Sequence, residues 1–380
     1  MRLIMLLAAL LTGSAAFAQP AEVRVAFDVT GVTAERASGL ADRVTGRSVT
    51  ADDPVRIASI SKLVAALGVM RMVEAGQLDL DRDVGAVLGW HVRNPAFPDA
   101  PVTLRQLLSH TSGLIDPEEY RVPLGEQLAD RIALPGLWDA KHRPGSYFRY
   151  ANIGFPVIAS VMEKASGERF DRLMQRLVLA PLKLDVCFNW STCSDAKIAR
   201  AVVLYRTDGS VALDALGGKR PDCPVIAKAG CDLAGYRLGE NGALFSPQGG
   251  LRASMRDLAV IGQMLLRNDG SFLKPESIAQ IEQVAWRFDG TNGDTSNGFY
   301  CQYGLAVTAL PTPREGCADD LFSDSRTRVG HAGDAYGLRS GLWIDRAKGT
   351  GVAFFATATA SDSKGVTAFT REEERLAQEK

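Results

Sequence analysis

Residues 56–76 read RIASISKLVAALGVMRMVEAG. Within them Ile60, Leu63, Val64, Leu67, Met70 and Val73 recur at the three-and-four spacing of a helix face. Gly76 supplies the stop expected just past a helix C-terminus. The pattern predicts an amphipathic helix from Ser59 to about Ala75. Ser59 opens it, and Lys62 lies three residues on, so the two side chains share a face. A serine hydroxyl is a weak nucleophile until a base takes its proton. A lysine amine serves as that base when burial or a nearby cation lowers its pKa. The helix N-terminus also favours negative charge, at the nucleophile and on a tetrahedral oxyanion. The stretch therefore predicts an element and a chemistry together: S-x-x-K nucleophilic catalysis by Ser59 and Lys62.

S-x-x-K is a short motif, and the chain holds three further copies: Ser194 to Lys197, Ser271 to Lys274, and Ser361 to Lys364. Their contexts differ. The first follows Cys193 in a loop-rich stretch. The second is followed by Pro275, which disfavours a helix running through Lys274. The third is followed by Gly365. Only Ser59 opens a strongly periodic helix. The plain alternative for Ser59 is a helix cap, a position serine favours.

Outward from this helix the pattern alternates with the chain. Residues 22–30, EVRVAFDVT, alternate apolar and polar like a strand. A second strand-like stretch, punctuated by Gly39 and Gly46, leads to Arg56. Residues 80–240 read as helices joined by loops, with Thr103 as an N-cap and Gly167 separating helices at 153–165 and 168–179. Residues 185–250 are loop-rich. A helix at 254–267 sits behind Ser254 as cap, and residues 286–328 read as irregular. Strands follow from Leu338 to Ile344 and from Val352 to Ala356, with H-A-G at His331–Gly333 placed before a strand. The tail from Ala368 reads as helical. The order implies a sheet built from both chain ends, about 22–58 and 240–380, with a mostly helical region inserted at about 59–239.

The first residues predict export. Arg2 is a short positive n-region, Leu3 to Leu11 an apolar h-region, and Ala16-Phe17-Ala18 an A-x-A cleavage site. The expectation is a signal peptide at 1–18, a single domain at 19–380 beginning near Gln19, and a periplasmic or secreted location. The apolar run is shorter than the roughly 20 residues a bilayer span needs, so no membrane anchor is expected after cleavage. The six cysteines fit an oxidising compartment. They fall as three close pairs, and the simplest connectivity is Cys187–Cys193, Cys223–Cys231 and Cys301–Cys317. With no C-x-x-C and four scattered histidines, His91, His110, His142 and His331, no zinc site is expected. The formal net charge of −1 comes with no basic stripe or charge block. Nothing points to nucleic acid or a membrane surface.

Two more motifs carry chemistry. Tyr150-Ala151-Asn152 is the only Y-x-N among the eight tyrosines. Tyr150 is placed to relay a proton between serine, lysine and leaving group, and Asn152 to bond a substrate carbonyl. In His331-Ala332-Gly333, the glycine would let substrate approach the backbone closely. The Asp334 N–H would share an oxyanion hole with that of Ser59. His331 is either a substrate-contacting residue or a structural histidine. His110 reads as structural.

Taken in order, these motifs resemble the beta-lactamase and penicillin-binding serine hydrolase superfamily, on its class C-like branch. The blocks RIASISK at 56–62, TLRQLLSHTSGL at 103–114, PGSYFRYANIG at 144–154, SPQGGLRASMRDL at 246–258 and GHAGDAYG at 330–337 are each similar to that group. The resemblance implies an α/β (α+β) fold of the beta-lactamase/transpeptidase type, an antiparallel sheet flanked by helices. It implies an acyl-enzyme route with no metal or organic cofactor, a small-molecule or peptide substrate, and no protein partner. Typical class C beta-lactamases carry lysine where this chain has His331. Relatives with histidine or tryptophan there include D-alanyl-D-alanine carboxypeptidases, D-aminopeptidases and carboxylesterases. Esterase or D-amino-acid peptidase activity is therefore expected ahead of efficient beta-lactamase activity. A non-catalytic binder of peptidoglycan fragments or beta-lactams is the reading from another functional class.

Overall fold

Strand Glu22–Asp28 turns Val23, Val25 and Phe27 into the main core, as its alternation predicts. The computed structural model describes residues 20–360 and 362–379. The residues read as a signal peptide, and Ser361 of the last S-x-x-K copy, lie outside them. The first strand pairs on one side with Val32–Ser38 and on the other with Thr350–Ala356. These belong to an eight-stranded sheet whose order is Trp286–Arg287, Gln302–Tyr303, Thr308–Leu310, Arg328–Ala335, Leu338–Asp345, Thr350–Ala356, Glu22–Asp28, Val32–Ser38. Every neighbouring pair is antiparallel. The sheet is thus assembled from the two ends of the chain.

The central strands are covered on both faces. In Thr350–Ala356, Ala353 and Phe355 enter the main core. Val352, Phe354 and Ala356 face the other way, onto Leu376 and Ala377 of helix Arg371–Gln378. Helix Met255–Arg267 packs on the opposite face, begun by a capping box between Ser254 and Asp257. Gly262 on that helix permits the approach: a Cβ there would stand 2.2 Å from Phe27 Cζ. A second, three-stranded sheet orders Val55–Arg56, Leu251–Ala253 and Cys187–Phe188 and delivers the chain to Ser59.

Helix Ile60–Glu74 lies in the main core, between the large sheet and helices Gly154–Ser166 and Phe170–Met174. Here the structure corrects the pattern reading. The helix is not amphipathic: Ile60 to Met70 are all buried. The positions that read as a polar face are Ser61, Lys62, Ala65, Ala66 and Gly68, small residues or a lysine with a local purpose. Two further corrections concern the sheet. The stretch 286–328 is not irregular throughout, because three short strands in it build the sheet edge. The H-A-G triplet precedes the strand Leu338–Asp345 as read, but it also lies inside a strand of its own, Arg328–Ala335.

The cysteines join as Cys187–Cys193, Cys223–Cys231 and Cys301–Cys317, with Cα separations of 5.2, 5.7 and 6.0 Å. Among the described residues no helix is long and apolar enough to cross a membrane.

Candidate active site

The turn before Ser59 is clamped from three directions. The Ile57 N–H donates to the Leu251 carbonyl at 3.0 Å. The Ser61 hydroxyl donates to the Ala58 carbonyl at 2.7 Å and accepts the Leu251 N–H at 3.0 Å. Ala58 sits at φ +49°, a left-handed conformation that L-residues adopt at a cost. Ser59 itself has helical angles, and its side chain makes no capping bond. Its hydroxyl accepts instead from Lys62 Nζ, at 3.0 Å.

Lys62 is fully buried. Its ammonium has three donors, and three acceptors surround it: Ser59 Oγ, Asn152 Oδ1 at 2.8 Å and the Gln248 carbonyl at 2.8 Å. The amine also lies 4.8 Å from the centroid of the Tyr150 ring. Burial pulls its pKa from 10.5 down to about 7; nearby Asp116 opposes the shift and Arg56 adds to it. Near neutral pH a substantial fraction of this amine therefore has a lone pair available to the serine proton.

Asn152 owes its orientation to Asp116. One Asp116 oxygen accepts the Asn152 N–H and the Asn152 Nδ2, each at 2.8 Å. The other accepts the Ile153 N–H at 2.8 Å, just ahead of helix Gly154–Ser166. With its NH2 directed to a carboxylate, the amide presents Oδ1 to Lys62.

Tyr150 is held in an aromatic stack. Tyr300 lies parallel to it, ring centroids 4.7 Å apart, and His110 lies against it at 4.3 Å. His110 Nδ1 accepts the Ala151 N–H at 3.2 Å. That bond fits a neutral ring, and burial, with Lys62 nearby, drives the His110 pKa well below its usual value. The Tyr150 hydroxyl is buried and lacks a partner in good hydrogen-bond geometry, although Ser59 and Tyr300 lie near enough to act on its ionisation. Burial dominates and raises its pKa.

His331 does not reach the cleft. It is 1% exposed, its Nε2 lies 2.8 Å from the Tyr303 hydroxyl, and its Nδ1 lies 2.5 Å from the Ala332 carbonyl. Nδ1 is then the donor, and Nε2 accepts from the tyrosine. Burial, reinforced by Lys62, takes its pKa to about 3. The expectation of a substrate-contacting His331 is corrected: the ring is a neutral support behind Tyr150. Gly333, which lines the cleft, also has a job its sequence context did not show. A Cβ there would stand 2.4 Å from the Ile57 carbonyl and 2.3 Å from Ser340 Oγ. The missing side chain lets the strand press against the Ser59 turn. Asp334 follows it on the cleft wall, its carboxylate paired with Arg339.

Ser59, Tyr150, Asn152, Gly333 and Asp334 line one cleft of about 1170 Å³. Lys62 lies beneath it. The arrangement sets a hydroxyl, a depressed amine, a tyrosine and an oriented amide around one point, the geometry required for transfer of an acyl group. Asp116, Tyr300 and the Gln248 carbonyl escaped the sequence reading. A main-chain carbonyl has no residue-type signal, and Tyr300 lies in the stretch read as irregular. Asp116 follows the TLRQLLSHTSGL block by two positions, the one cue available.

The beta-lactamase family model matches residues 18–377. Esterase EstB of Burkholderia gladioli is 30% identical over 299 residues, which cover 73% of this chain and 72% of that protein. Among solved structures, the octameric penicillin-binding protein homologue from Pyrococcus abyssi superimposes with a TM-score of 0.68 at 21% identity, over 94% of this chain and 72% of that one. The D-amino acid amidase from Ochrobactrum anthropi gives 0.68 at 19% identity, over 94% and 92%. The fold is the beta-lactamase/transpeptidase type.

Proposed function

The chain belongs to the beta-lactamase family, and on that premise we propose that it is an exported serine hydrolase working through an acyl-enzyme on Ser59. Its substrates are esters, D-amino-acid peptides or related amides. The observation that carries this is the buried Lys62 amine, 3.0 Å from Ser59 Oγ with its pKa near 7. Lys62 takes the serine proton as Oγ attacks the substrate carbonyl. The Ser59 and Asp334 N–H groups hold the resulting oxyanion. Tyr150 relays that proton from Lys62 to the departing alkoxide or amine, so that both groups end as they began. Water then adds to the Ser59 ester, releasing the acid and restoring the hydroxyl.

Two things support hydrolysis of esters and amides ahead of beta-lactams. The named relatives include an esterase and a D-amino acid amidase. The strand residue His331 is neutral and withdrawn, so it offers no charge to a ligand. Export is supported by the three disulfides, which persist in oxidising compartments.

The test is covalent. A fluorophosphonate probe applied to the purified mature protein should label Ser59, as mapped by peptide mass spectrometry, and Ser59→Ala should not label. Adducts on a different serine that persist in Ser59→Ala would overturn the assignment. A panel of p-nitrophenyl esters, D-Ala-D-Ala peptides and nitrocefin then ranks the substrates. The expected order puts esters or D-peptides ahead of nitrocefin.

A further inference from the structure

Three arginines line the cleft: Arg56, Arg121 and Arg339. Arg121 is paired with Glu119 and Arg339 with Asp334. Arg56 has no ion pair or side-chain hydrogen bond among the described residues, and its Nε is buried without a partner. It closes the short strand that leads into Ser59, and its Cα is paired across the sheet with Arg252. Like charges directly opposite one another repel. For Arg252 the repulsion is answered. Asp214 accepts from its Nε and Nη2, and Asn189 Oδ1 and the Gly250 carbonyl accept from Nη1. The same Asp214 carboxylate also accepts the Trp190 indole N–H at 2.8 Å. Asp214 makes no hydrogen bond to Arg56, although its charge favours the guanidinium from a distance. Asp116, which acts on Lys62, is spent on Asn152 and Ile153, and Glu118 and Glu119 line the same cleft without bonding Arg56.

A guanidinium in such a position is unfavourable by itself. Its head is accessible from the cleft. Cζ stands 5.3 Å from the centroid of the Tyr336 ring, which also lines the cleft, and Nη2 is near the Gly249 wall. Gly249 follows Gln248, whose carbonyl holds Lys62, so the guanidinium lies on the same wall as the amine. Its planar fork suits a two-oxygen anion.

We propose that Arg56 is an anion subsite of this cleft, and that the preferred substrates carry a carboxylate close to the bond that Ser59 attacks. This rests on the hydrolase reading for its chemistry, but the subsite itself can be tested without turnover. The mono-p-nitrophenyl ester of glutaric acid and p-nitrophenyl valerate differ in the acyl terminus, carboxylate against methyl. The butyrate esters of para-hydroxybenzoate and para-hydroxybenzamide differ in the leaving group. In at least one pair the carboxylate ester should have the higher kcat/KM. Arg56→Gln should erase that preference through KM, cutting the carboxylate-to-neutral ratio of kcat/KM by about ten- to a hundredfold, beyond the common change in kcat that losing its charge beside Lys62 brings to both esters. Arg56→Lys should recover part of it. Fluorophosphonate labelling of Ser59 in each variant reports that the site is intact.

An equal loss on charged and neutral esters would make Arg56 structural and overturn the proposal, as would the absence of any carboxylate preference in wild type. If the wild-type protein hydrolyses neither esters nor D-peptides and Ser59 takes no fluorophosphonate label, the hydrolase reading fails separately. The subsite is then tested by glutarate in a thermal-shift assay. Stabilisation of wild type that Arg56→Gln loses upholds it, and no stabilisation of wild type overturns it.

Discussion

At the scale of single residues, the site depends on a lysine that pattern reading would place on a helix surface. Lys62 is buried, and burial moves its pKa from 10.5 to about 7. Its neutral form, the one that accepts the Ser59 proton, therefore gains population as pH rises through 7. The rate of fluorophosphonate acylation should rise across that range and level off about a unit above it. Lys62→Arg keeps a cation but removes a usable base, because guanidinium does not deprotonate in this range. Acylation should fall by about 10²- to 10⁴-fold while circular dichroism shows a folded chain. Full retention of the rate in Lys62→Arg would transfer the base role to Tyr150. The neighbouring histidines add no pH limb of their own. Burial holds both His110 and His331 neutral far below the range in which Lys62 titrates.

At the scale of elements, helix Gly154–Ser166 ties the site to the rest of the fold. Its start is fixed by Asp116, which also orients Asn152. Near its end Glu163 accepts the Phe170 N–H, the Gly239 N–H and the Tyr236 hydroxyl. Burial outweighs these bonds and raises the Glu163 pKa to about 7, from 4.5. Between those values the folded chain holds a proton that the unfolded chain has lost. The contribution of Glu163 to stability is therefore lost as pH rises from about 4.5 to 7, against the opposite contribution of the buried His110 and His331. Denaturant midpoints of wild type should fall over that window relative to those of Glu163→Gln, in which the histidine contribution is unchanged. Identical slopes would show that Glu163 does not titrate as its burial requires.

The same helices show where the sequence was informative. Thr103, Ser254 and Gly167 mark helix ends that exist, because capping is local chemistry between adjacent residues. Ser59, Lys62, Tyr150 and Asn152 were legible as residue types in fixed spacing, and the fold brings them together. What the sequence concealed depends on long-range packing. Periodicity cannot tell a half-buried helix from Ile60–Glu74, whose second face is made of Ala, Gly and Ser. Strands of two or three residues, such as Gln302–Tyr303, are too short to alternate visibly. Gly333 reads as room for a substrate, and only the fold shows the Ile57 carbonyl pressed against it.

At the scale of the whole molecule, the disulfides divide by what they brace. Cys301 directly follows Tyr300, the ring stacked on Tyr150, and Cys317 directly precedes Ala318. Tyr300 and Ala318 both line the cleft. The Ala318 N–H donates to the Gly298 carbonyl at 2.9 Å, and the Ala368 N–H to the Ala318 carbonyl at 2.7 Å. This bridge therefore ties one cleft wall to the C-terminal segment. Cys223–Cys231 closes a loop whose cysteines do not line the cleft. Closing loops of these lengths restricts the unfolded chain, and losing either bridge should cost about 2–4 kcal/mol of stability. Their effects on function should separate. Cys223→Ser with Cys231→Ser should lower the melting temperature and leave Ser59 acylation intact at a temperature where the protein stays folded. Cys301→Ser with Cys317→Ser should do both kinds of damage, because releasing the wall frees Tyr300 and, with it, the stack that fixes Tyr150. Equal acylation rates in the two double variants would mean that the aromatic stack is held by packing alone and that the third disulfide serves stability only.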